Sequence, residues 1–247
     1  IRIERALDLD GEGQLVAWVL SKKIAAGSTH AVIDIPVGET AKVRTPGDAD
    51  RLASLFTSVG AACGLKVRCI ATDGSKPVGA GIGPTEEARD VLAVLQGKRG
   101  APEDLRSRAI LLAGHLFDLA DGLGVKEGMI KAERLLQDGS AWEQFKRITK
   151  AQGGLKSLGE ARFRRPVLSS ESGTIVSIDN RRLARVAKLA GAPASSTAGL
   201  RLLVNVGDIV IKGEPLYELL SDSPGQQDYA LAFNDMGPAI FTVKREE

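Results

Sequence analysis

The sequence predicts an α/β fold: a largely parallel sheet with flanking helices, followed by a small β-rich domain. Three observations predict it. Helix-forming stretches alternate with short β-branched runs through the first part of the chain, the pattern that builds parallel sheets. Several further helical stretches follow with no strand between them. Around residues 153–165 the texture then changes to glycine and basic residues and, beyond them, to short β-rich runs separated by turn signals. A length of 247 residues exceeds the common single-domain size and suits one large domain, 1–158, and a smaller one, 159–247.

Residues 11–26, GEGQLVAWVLSKKIAA, contain no proline, are rich in helix formers and are followed by Gly27, a usual terminator, so they predict a helix. The run HAVIDIPV at 30–37 ends in proline and glycine and predicts a buried strand. A second such unit follows, with a helix over 48–62 and the strand KVRCIAT over 66–72. The glycine-rich loop DGSKPVGAGIGP leads into the helix TEEARDVLAVLQ, which has Pro84 near its start and acidic residues in its first turn. Apolar residues recur at helical spacing over 102–120, 126–136 and 141–151. The β-rich runs expected in the second domain are GTIVSID, GLRLLVNVGD, IVIKGEPLYELL and YALAFND.

Composition removes several classes of function. Apolar residues make up 43% and charged residues 26%, ordinary for a globular protein, and no apolar run has the length a bilayer requires. The 33 basic and 31 acidic residues give a formal charge of +2 with no long block of one sign, so neither a nucleic acid nor a membrane is an expected partner. Cys63 and Cys69, spaced C-x5-C, fit neither a zinc knuckle nor a disulfide framework; they read as two small core residues in a reducing cytoplasm. The sequence opens at Ile1 with no charged-then-apolar leader, so no secretion signal is expected.

On a helical wheel of the first helix, Leu15, Val16, Val19, Leu20 and Ile24 form one apolar arc that also takes in Lys23, while Trp18 and Lys22 stand one turn apart on the adjoining face. A helix apolar almost all round is usually buried, which makes a lysine pair on it a candidate for function. The plain alternative is that both lysines lie in the last turn, favoured by the helix dipole and long enough to reach water. Asp10, just before the helix, suits a cap equally well. The loop over 73–83 has the glycines of a phosphate cradle but not the Walker spacing or a dinucleotide fingerprint. His30 and His115 have no ligand-spaced partners, and no G-x-S-x-G motif occurs, so neither a metal nor a serine nucleophile is expected. The run GDIVIKGEPLYEL resembles hairpins of biotinyl and lipoyl carrier domains, flattened barrel sandwiches. The matching half, SGTIVSIDNRRL, has Asp179, Asn180 and Arg181 near its turn and no attachment lysine, which argues against a carrier.

Taken in order, DLDGEGQLVAWVLSKKIAAGSTHAVIDIPVGETAKV, then TDGSKPVGAGIGPTEEARDVLAVLQG, then the β-rich tail, resemble the pyrimidine-nucleoside and AMP phosphorylase family over nearly the whole chain. The most specific elements are SKK before a strand, IDIPVG with a downstream lysine, and TDG-x-x-P-x-G with GP-x-x-EARD. DIPVGETAK, where thymidine phosphorylases proper read D-x-K-V-G-S-G-A-F, leans toward the branch of AMP phosphorylases and proteins named putative thymidine phosphorylases. The resemblance implies phosphorolysis: phosphate attacks the sugar C1′ through an oxocarbenium-like transition state, the base leaves, and a sugar 1-phosphate forms. It implies Asp10 as proton donor, Lys22 as a lysine that contacts the base, Lys42 as a substrate-binding lysine, inorganic phosphate as co-substrate, no other cofactor, and a homo-oligomer in the full-length protein.

Two departures qualify the match. An arginine that contacts the pyrimidine in thymidine phosphorylases would fall near Ile3, with Arg2 adjacent but out of register. The family's serine four residues before the first lysine of the pair is replaced by Trp18, whose indole donates one hydrogen bond, accepts none, and either stacks on a ring or fills the pocket. The family's K-x-S-x-G-G phosphate loop does not occur in the sequence. The expectation is therefore an incomplete, C-terminal portion of a phosphorylase, inactive alone. The rival expectation is a non-catalytic binding or assembly module derived from the family.

Overall fold

The computed structural model describes residues 11–245, a mixed α/β chain with eight helices and nine strands among them. It divides into two compact units, one of Ile1–Gly74 with Ile110–Ala132 and one of Ser75–Ala109 with Glu133–Glu247. No helix among the described residues is long and apolar enough to cross a membrane.

In the first unit, α1 (Glu12–Ala25) leads through a short turn into β1 (His30–Val37), then α2 (Pro46–Ala62) and β2 (Lys66–Asp73). β1 and β2 pair in parallel from His30 opposite Lys66 to Val37 opposite Asp73. Alternation turns Ala31, Ile33 and Ile35 of β1 to one buried face, where they pack with Val16 and Leu20 of α1 and with Leu52, Phe56 and Leu65. Burying each large aliphatic contributes roughly 1.5–3 kcal/mol. The start of α2 is fixed locally: the Thr45 hydroxyl accepts from the Asp48 backbone N–H at 3.2 Å, and Pro46 sits in the first turn, where its missing N–H costs nothing. The segments from 110 to 132 belong to α4 (Glu103–Asp121) and α5 (Val125–Gln137).

Two expectations change here. α1 is not buried all round: Trp18 and Ile24 are exposed while Val16 and Leu20 carry the packing, because one helix face suffices to cover β1. Cys63 is exposed, since it sits beyond the last turn of α2 at the cap; only Cys69, on β2, is partly buried.

The second unit holds β3 (Gly81–Ile82), α3 (Pro84–Leu95), α6 (Ser140–Ala151), β4 (Phe163–Leu168), β5 (Gly173–Ile178), α7 (Asn180–Leu189), β6 (Gly199–Leu202), β7 (Ile209–Val210), β8 (Pro215–Ser221), α8 (Pro224–Asp235) and β9 (Phe241–Lys244). The strands form two antiparallel sheets, β3-β6-β8-β4 and β7-β5-β9, with no closed barrel among the described residues. Ile175, Leu183, Val186, Leu200, Tyr217 and Leu219 share one core, with the Tyr217 hydroxyl donating to Asn234 Oδ1 at 2.8 Å.

One β-rich run of the sequence proves helical, and another, a strand as expected, leads straight into a helix. YALAFND lies inside α8: Pro224 opens the helix, and Gln227 and Ala230, three residues apart, are its buried positions. After GTIVSI the chain enters α7 rather than a hairpin turn, because the Asp179 carboxylate accepts from the Arg182 N–H at 2.9 Å and Leu183, Val186 and Ala187 then fall on one buried face.

Candidate functional site

The two most specific motifs of the first unit meet at the C-terminal ends of β1 and β2. Parallel register sets Pro36 of IDIPVG beside Thr72 of TDG. The Thr72 hydroxyl donates to Asp34 Oδ1 at 2.5 Å, tying the motifs side chain to side chain. The Gly74 N–H donates to the Val37 carbonyl at 2.9 Å. A Cβ on Gly74 would stand 3.0 Å from the carbonyl carbon and Cβ of Pro36 and from the Val37 nitrogen, so glycine is what lets the chain lie against the proline.

Beyond β1 the chain folds back on itself. The Gly38 N–H donates to the Val43 carbonyl at 3.1 Å, the Ala41 N–H to the Gly38 carbonyl at 3.0 Å, and Val37 bridges Val43. Lys42 lies exposed on this loop. Ligands of open α/β sheets bind in the crevice outside such strand ends. Glu12, in the first turn of α1, pairs with Arg51 of α2 at 3.6 Å. Asp10, together with Arg2 and Ile3, lies outside the described residues.

Trp18 and Lys22 lie together on the outward face of α1. The Lys22 ammonium sits 3.2 Å from the centroid of the Trp18 ring, and the indole is 46% exposed. Lys23, inside the apolar arc, is partly buried. On β2, Arg68 pairs with Asp118 of α4 at 2.6 Å; that guanidinium, with the Gly124 N–H, holds the Asp118 carboxyl below its ordinary range. Burial pushes the neighbouring Cys69 thiol up to about 11.

Four N–H groups of the glycine-rich loop in the second unit, those of Gly79, Ala80, Gly81 and Gly83, are occupied by the protein's own carboxylates. Asp90 Oδ2 accepts from the Ala80 and Gly81 N–H groups, both at 2.7 Å, Asp104 accepts from Gly79 at 3.1 Å, and Glu87 accepts from Gly83 at 3.0 Å. Arg201 bridges Glu86 and Asp90 at 3.1 and 3.2 Å, and Arg89 joins Glu86 to Glu160. A nest already filled with carboxylate repels a phosphate, so the EARD motif acts as a clasp on this loop. Composition alone does not single out this clasp; three acidic residues following a run of N–H-rich glycines are its one signal. Among the described residues no group of three or more His, Cys, Asp and Glu side chains could hold a metal ion.

No family model matches the chain. It is 52% identical over 233 residues to a protein of Cupriavidus necator named "Putative thymidine phosphorylase 1", a match covering 94% of this chain and 45% of that protein. It is 54% identical over 230 residues to a "Putative thymidine phosphorylase" of Legionella pneumophila strain Paris, covering 93% of this chain and 44% of the relative. The chain is a homologue of these proteins. A third relative, from Acidovorax sp. strain JS42, is 50% identical over 246 residues, 100% of this chain and 48% of its own length. The chain thus spans about half the length of the curated relatives it matches. Within the shared half there are two candidate features, the joined ends of β1 and β2 with the Lys42 loop, and the Trp18–Lys22 pair on α1.

Proposed function

We propose that this chain supplies the base-and-leaving-group wall of a nucleoside or nucleoside monophosphate phosphorylase, an enzyme that releases a free base and a sugar 1-phosphate. The observation that carries this reading is the joining of IDIPVG to TDG by the Thr72–Asp34 bond and the Gly74–Pro36 contact, in a chain half identical to proteins bearing the thymidine phosphorylase name.

In this reading Asp10 protonates the departing base, Lys22 neutralises charge growing on a base carbonyl, and Lys42 binds substrate from the loop beyond β1. Phosphorolysis through an oxocarbenium-like transition state needs those two services on one side, relief of leaving-group charge and a fixed sugar. It needs an anion site for phosphate on the other. The carboxylate-filled glycine loop does not supply that site, which supports assigning phosphate to sequence outside this chain. The same reading takes residues 1–158 as the C-terminal part of the catalytic α/β domain, its parallel sheet continued by other strands in the full-length homo-oligomer. Residues 159–247 are then a β-rich domain of barrel-sandwich type.

The assay is release of free base from thymidine, uridine or AMP with inorganic phosphate present. The purified 247-residue chain is expected to show no phosphate-dependent turnover; detectable turnover would refute the assignment of phosphate binding elsewhere. A second reading, a non-catalytic module whose indole closes the nucleoside pocket, draws on Trp18 standing where the family has serine. It predicts no binding of any of the three substrates even when the missing half is present.

A further inference from the structure

We propose that Trp18 is a positioning residue that latches Lys22, so that a ligand must displace the lysine from the indole before it can use the ammonium. This deepens the reading above and rests on its assignment of Lys22 to the base. The two residues are four apart on α1, the spacing at which helical side chains stack one above the other. The ammonium lies 3.2 Å from the ring centroid, within the range where the π face attracts a cation. The rest of the helix anchors the pair, since Val16 and Leu20 are buried while Trp18 stands 46% exposed. Ring and ammonium are therefore held against each other outside the core, on the face left open to a ligand.

An indole face offers a cation attraction but no hydrogen-bond acceptor, so it holds the lysine without satisfying its N–H donors. A base carbonyl accepts from one of them and draws the lysine over, at the cost of breaking the cation–π contact. That cost is the same for every ligand that uses Lys22 and absent for any ligand that does not. For an exposed pair it corresponds to about two- to five-fold in affinity. A serine at position 18 removes the competitor altogether.

The test measures AMP and thymidine binding calorimetrically to the chain, to Trp18→Ser and Trp18→Phe, and to each of the three combined with Lys22→Met. In parallel, pulse acylation followed by mass spectrometry reads the reactivity of the Lys22 amine without any ligand. Trp18→Ser is expected to tighten binding about two- to five-fold and to speed Lys22 acylation, Trp18→Phe to stay near the parent, and the gain to vanish when Lys22 is methionine. Weaker or unchanged binding by Trp18→Ser, with binding still dependent on Lys22, would overturn the latch alone and make the indole a stacking platform or a bystander. A gain that survives Lys22→Met would overturn it equally. Absence of binding in every variant would overturn the functional reading and the latch with it.

Discussion

Thr72 and Asp34 meet because the parallel register sets Thr72 opposite Pro36, two residues along β1 from Asp34 and on the same face, and Gly74 completes the junction because a Cβ there would stand a tight 3.0 Å from backbone atoms of Pro36 and Val37. Backbone cannot swing aside as a long side chain can. Gly74→Ala is therefore expected to destabilise the chain by about 1–3 kcal/mol, the usual cost of overpacking, read as a lower midpoint in urea denaturation. The cysteines give a second residue-scale check. Thiolate is the reacting form, and with the Cys69 thiol pushed up to about 11 by burial almost none is present at pH 8. Exposed Cys63 is expected to label first and Cys69 to lag, catching up only as the pH approaches 11. Two thiols reacting at equal rates at pH 8 would contradict this placement. The pairing of Trp18 with Lys22 was legible in the sequence from helical spacing alone, whereas the exposure of Cys63 was not, because it depends on where α2 stops.

At the scale of elements, the strands and helices of the first unit were readable because each carries its own signal: the β-branched run HAVIDIPV closed by proline and glycine, its repeat as a helix and the strand KVRCIAT, and the glycine after α1, while the Thr45 cap that starts α2 two residues before 48 was not. α7 and α8 escaped the sequence for different reasons. α8 buries a small and a polar position, Ala230 and Gln227, that hydrophobicity does not mark, whereas α7 buries Leu183, Val186 and Ala187 but starts directly after the strand GTIVSI, where a hairpin turn is the expectation. The clasp on the glycine loop was invisible as chemistry because it is a tertiary use of EARD. It carries its own prediction. Asp90→Asn removes the charge that two N–H groups and Arg201 share in a buried place, with an expected loss of about 2–3 kcal/mol in denaturant unfolding. Edge strand β4 shows element-level protection of another kind, with Pro166 and exposed Arg162, Arg164 and Arg165 set on or beside a strand paired only to β8.

For the whole chain, acid should be the sensitive direction. Asp118 and Asp222 are held below the ordinary carboxylate range, Asp118 chiefly by Arg68 and Asp222 by the hydroxyls of Ser195 and Thr197. A lowered folded-state value contributes stability that is complete above the unfolded value, near 4, and is lost as pH falls through the folded one. Thermal midpoints are expected to be level from pH 7 to about 5 and to fall below that, with a shallower fall in Asp222→Asn. What the sequence could not disclose is how far the side chains of α1 are exposed: Trp18 reads equally well as a core residue, and the structure instead leaves it 46% exposed under the Lys22 ammonium, with Lys23 partly buried. The central claim is that the face of α1 and the ends of β1 and β2 receive a nucleoside. Calorimetric titration of thymidine and AMP into the chain and into Lys22→Met and Lys42→Met tests it most directly. Binding that either substitution weakens at least ten-fold is expected, whereas affinity untouched by both substitutions would contradict a nucleoside site here.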